Sequence, residues 1–70
     1  MTNLEHEIAK HIAIAMEEYG EDGDDHAAAD FAGGRLYDGP PYCDPAAHIE
    51  YMAMPYKARQ ALCLEIARMY

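Results

Sequence analysis

The stretch NLEHEIAKHIAIAMEEY, Asn3–Tyr19, decides the fold. Within it Leu4, Ile8, Ile12, Ala15 and Tyr19 recur at intervals of three and four, the period that lines apolar side chains along one face of an α-helix. Thr2 followed three residues later by Glu5 is a capping-box pattern, in which each side chain accepts from an amide that the helix start leaves free. Gly20 stands where a left-handed C-terminal cap is usual. The spacing predicts a helix from about Asn3 to Tyr19 whose single apolar stripe must be covered by other elements.

Beyond it, Gly20 to Asp24 reads as a polar turn, and Asp24 or Asp25 can cap a second helix, predicted to run through Ala32 and to stop at Gly33 and Gly34. Residues 35–43 hold Gly39, Pro40 and Pro41, so an extended surface connection is expected there, pinned by Leu36, Tyr37 and Tyr42. Asp44 and Pro45 form an N-cap and first-turn pair that opens a third helix, and Pro55 closes or kinks it after Met54. The same Pro55 can start a last helix carrying Lys57, Arg59 and Arg68. No stretch alternates with a period of two. The expectation is an all-α fold, a small bundle of three to four short helices with a Gly/Pro-rich connection in the middle, forming one domain over residues 1–70.

A chain of 70 residues buries roughly 60% of the surface its unfolded form exposes, so its stability is marginal unless a metal, a disulfide or a partner subunit adds to it. The longest uninterrupted apolar run, Ile12–Met16, is far short of the roughly 20 residues of a membrane span, and no charged leader segment precedes it. A cytoplasmic location is expected, with Cys43 and Cys63 as free thiols.

The charge is lopsided. Of a net −8, −7 falls between Glu17 and Asp30, on Glu17, Glu18, Glu21, Asp22, Asp24, Asp25 and Asp30 with no base among them. Such a surface is a poor ligand for nucleic acid, which demands clustered Lys and Arg. Asp24 and Asp25 suit a helix N-terminus, whereas Glu17 and Glu18 sit in a last helical turn, where the dipole disfavours them. The stretch reads either as solubilising charge or as a face that docks on a basic protein surface, speeding encounter and fixing orientation. It lacks the ligand spacing and closing glutamate of a calcium loop.

Apolar surface is in excess for one small core. Ile14 shares its helical face with Lys10, His11 and Glu18, and the last helix is apolar over most of its circumference through Leu62, Cys63, Leu64, Ile66, Ala67 and Tyr70. A homo-oligomer, most simply a dimer, is expected through Leu62, Leu64, Ile66 and Tyr70. Tyr51, Met52, Met54 and Tyr56 form a candidate contact segment, although the same residues suit a core.

Catalytic patterns are weak. His6 and His11 diverge around a helix, while Glu7 with His11 and His26 with Asp30 can converge, yet neither pair has a third ligand fixed by spacing. There is no serine, Thr2 is the sole threonine, and neither cysteine lies in a motif of a catalytic family. The chain is expected to be no enzyme and to need no metal or cofactor. The function expected is a small acidic binding protein that inhibits or modulates a larger partner by docking on a basic surface, such as one that holds nucleic acid. In size and charge it resembles the small acidic inhibitors that phages deploy against restriction or CRISPR systems, a likeness of class with no motif behind it. The alternative is a structural helical module for homo-oligomeric assembly.

Overall fold

The computed structural model describes residues 2–19, apart from the side chain of Tyr19, and residues 24–70. Among them are four helices and no strand: α1 (Asn3–Tyr19), α2 (Asp25–Asp38), α3 (Pro45–Ala53) and α4 (Tyr56–Met69). No helix among the described residues is long and apolar enough to cross a membrane.

The predicted capping box closes α1. The Thr2 amide donates to Glu5 Oε1 at 3.0 Å and the Glu5 amide donates to Thr2 Oγ1 at 3.1 Å. Accepting these bonds holds the Glu5 carboxyl below its usual range. Leu4, Ile8, Ile12 and Ala15 are buried as their spacing requires, whereas Gly20 and the Tyr19 side chain lie outside the description. α1 packs against all three other helices, so its stripe is the spine of the core. Ala28, Ala29, Ala32 and Leu36 meet it from α2, Ala47 and Tyr51 from α3, and Cys63, Ile66 and Ala67 from α4.

The second helix corrects the sequence reading. It does not stop at Gly33 and Gly34 but continues through them to Asp38, and the connection shrinks to the residues between Gly39 and Asp44. Ala32 and Leu36, one turn apart and fully buried, gain enough from burial to override the poor helix propensity of two glycines. Gly33 also has a steric purpose, since a Cβ there would stand 3.0 Å from the Tyr51 hydroxyl. The true stop is Gly39, at φ 76, whose amide donates to the Arg35 carbonyl; a Cβ there would collide with the His48 ring. Leu36 is therefore a core residue of α2 rather than a pin on a loop, and Tyr37 is exposed. Tyr42 is exposed as well, with the Arg35 guanidinium over its ring at 5.5 Å and over Phe31 at 4.8 Å.

Asp44 caps α3 as predicted, accepting from the Ala47 amide at 3.1 Å with Pro45 in the first turn. Met54 ends that helix and Pro55 caps the next. The junction of α1 with α3 is closed by polar contacts: Asn3 Nδ2 donates to Asp44 Oδ2 at 3.1 Å, and the Asp44 amide donates to Glu7 Oε1 at 3.1 Å.

Candidate binding surface

Two features of the surface stand out, an acidic end and a groove. α1 and α2 pack against each other and are joined by residues 20–24, so the last turn of one and the first turn of the other share one end of the bundle. Glu17, Glu18 and Asp24 are exposed there and Asp25 is partly so. Asp24 is committed as the N-cap of α2, accepting from the Ala27 amide at 2.8 Å. Glu21 and Asp22 lie outside the described residues. One partner of this end was invisible in the linear charge count: Arg68, in the last turn of α4, brings Nε to 3.8 Å from Asp25 Oδ2. Both side chains are well exposed, so the pair is worth little and leaves the end strongly negative. Asp30 is set apart from the other acids, exposed one turn further along α2 on the wall of the groove.

The groove, about 570 Å³, runs between α2 and α4. The Asp25–Arg68 contact places the start of α2 beside the end of α4, so the two helices are antiparallel. Ala29, Gly33, Gly34, Ala61 and Cys63 are the small residues of its lining, with Asp30 and Asp38 on the α2 side and Lys57 and Arg59 on the α4 side. Leu64 lines it and also a shallower depression beside it formed with Glu65, Arg68 and Met69. The proposed apolar arc is thus divided. Ile66 is buried in the chain's own core and is corrected from an interface residue to a core residue, Leu62 and Leu64 are partly buried against that core, and Tyr70 is 68% exposed beyond the end of α4.

Of the candidate acid–base pairs, Glu7 and His11 converge, with His11 Nε2 3.5 Å from Glu7 Oε1 in an ion-pair contact that closes no hydrogen bond. His11 is 2% exposed and neither ring nitrogen makes a hydrogen bond. Burial pushes its pKa down, opposed in part by Glu7, so the ring is held neutral. Its position three after Ile8 was a readable signal of burial. Cys43 and Cys63 are free and buried, and burial raises both thiol pKa values, the opposite of an activated nucleophile. Tyr51 is shifted up by burial beside Cys63. No group of three or more His, Cys, Asp or Glu among the described residues is placed to hold a metal ion. Compared with known proteins, the chain matches no family model, no curated sequence and no solved structure.

Proposed function

We propose that this protein acts by binding rather than catalysis, docking the acidic end of its bundle on a basic surface of a larger protein and so inhibiting or modulating it. The observation that carries this reading is the convergence of Glu17, Glu18, Asp24 and Asp25 at one end, with Arg68 the cation set against them. Glu21 and Asp22 lie between them in the chain and add to the same charge. Such a field raises the encounter rate with a basic partner and orients it, including a partner whose basic surface otherwise holds nucleic acid. The class likeness to small acidic phage inhibitors of restriction and CRISPR systems fits this mode. Neither nucleic acid nor a membrane is a direct ligand in it, and a cytoplasmic location suits its two reduced thiols. The raised thiol pKa values and the neutral, enclosed His11 support a non-catalytic role.

The test is a variant carrying Glu17→Gln, Glu18→Gln, Glu21→Gln and Asp22→Asn, which spares the Asp24 cap. Tagged wild-type protein should capture its partner from the native host at low salt and release it as ionic strength rises, because charges are screened over about 8 Å at physiological salt. The folded variant should associate more slowly and with a flatter salt dependence. Equal capture by both proteins at every salt concentration would reduce the acidic end to a solubility device. Homo-oligomeric assembly, the second reading, is favoured by the groove between α2 and α4.

A further inference from the structure

We propose that the groove between α2 and α4 is where two copies of this chain pair, about a twofold axis running along the groove. This goes beyond the acidic-end reading and does not depend on it, since the groove residues that decide it are not at that end.

The first argument is charge. Asp30 and Asp38 lie on one wall, Lys57 and Arg59 on the other, and none of the four forms an ion pair within the chain among the described residues. The Arg59 guanidinium lies over the rings of Tyr51 and Tyr56 and donates from Nη1 to Met52 Sδ at 3.3 Å, while its Nε is buried without a partner. The rest of its guanidinium thus has no acidic partner of its own chain among the described residues. A twofold axis along the groove exchanges the walls while keeping each residue at its own height, so the acidic wall of one copy faces the basic wall of the other. A twofold axis across the groove would instead set α2 on α2 and acid on acid. Heights agree for Asp38 and Lys57, though not for Asp30 and Arg59. Counted from the Asp25–Arg68 contact, Asp38 lies thirteen residues along α2 and Lys57 eleven along α4. At about 1.5 Å per residue they are level to within about 3 Å.

The second argument is Gly34. Unlike Gly33, it has no internal reason to be glycine, because a Cβ there would meet nothing within 4 Å. A mid-helix glycine weakens a helix relative to alanine, and the approach of a second helix across the groove gives this one a purpose. Tyr37 and Tyr56, 59% and 63% exposed, lie along the groove as the amphipathic aromatics that interfaces favour. Paired this way, α2 and α4 of both copies close into a four-helix bundle.

Light scattering with circular dichroism tests it. The wild-type protein should be a dimer at micromolar concentration. Gly34→Leu, whose side chain enters open space, should stay folded and become a monomer, its dissociation constant rising roughly tenfold or more. Asp38→Lys and Lys57→Asp should each be a folded monomer, since each puts at a helix end the charge its dipole favours. Mixing these two variants in equal amounts should restore the dimer, because in the mixed pair each substituted residue faces its opposite charge. Pairing of Asp38 with Lys57 inside one chain could not be rescued by mixing. A monomeric wild type, a dimeric Gly34→Leu protein or a mixture that stays monomeric would each overturn the proposal.

Discussion

The junction of α1 with α3 and the junction of α2 with α4 are built on opposite plans. At the first, Asn3, Glu7 and Asp44 answer one another and the free amides of α3, and little is left for an outside partner. These bonds keep the Asp44 carboxyl below its usual range, the Ala47 amide contributing most. At the second, two helices that pack closely leave a groove lined by small residues. Beyond the Asp25–Arg68 contact, Asp30, Asp38, Lys57 and Arg59 form no ion pair within the chain among the described residues, and aromatic rings face outward. The difference separates a closed junction, whose polar groups are answered within the chain, from an open one that leaves charged and aromatic groups at the surface, and it is the second, with the acidic end, that the proposed readings assign to partners.

The largest expected effect breaks the closed side. Ile12→Ala, at a fully buried position of α1, should cost about 2–5 kcal/mol in urea unfolding, whereas Leu64→Ala beside the groove should cost clearly less. Equal losses would mean that the open side is as much core as the closed one.

A smaller effect concerns His11, the flaw inside the closed side. Its pKa is lowered from 6.5 on folding, so below that pH the unfolded chain binds a proton that the folded one resists. Stability should therefore fall as pH drops from about 6.5 toward the folded value, and level off beneath it. His11→Leu should remove that part of the slope and, by putting carbon in place of two nitrogens that make no hydrogen bond, add about 1 kcal/mol at neutral pH. Urea midpoints of both proteins across this range give the comparison, and parallel profiles would acquit His11.

The smallest effect separates two adjacent glycines. In the monomeric Lys57→Asp background, Gly34→Ala should stabilise the fold by about 0.8–1 kcal/mol, as open helical positions allow. Gly33→Ala should gain less or lose, because its Cβ presses the Tyr51 hydroxyl at 3.0 Å. Identical shifts in thermal midpoint would show that Tyr51 yields freely.

Local chemistry was legible in the sequence and pairing between distant segments was not. The Thr2–Glu5 box, the stripe from Leu4 to Ala15, the Asp44–Pro45 start and the Pro55 break all act within a few residues, and each stands as read. Gly33 and Gly34 misled because propensity is a local quantity, whereas what carries α2 past them is burial of Leu36 against other helices and contact with Tyr51 of α3. The groove and the Asp25–Arg68 contact join residues far apart in sequence, and no spacing rule foretells which helices become neighbours. His11 lay within reach, since its place beside Ile12 and three after Ile8 is on the covered face.

The role of α1 as the spine of the core bears on how the chain leaves the ribosome. This helix emerges before every segment that covers it, and the last of those, α4, starts at Tyr56, almost forty residues after α1 ends. Through that interval Leu4, Ile8 and Ile12 face water on a nascent chain that cannot finish folding, the condition under which exposed apolar surface invites aggregation. Glu5, Glu7, Glu17 and Glu18 flank the stripe on the same helix. Charges so placed act as gatekeepers against that aggregation before the fold exists.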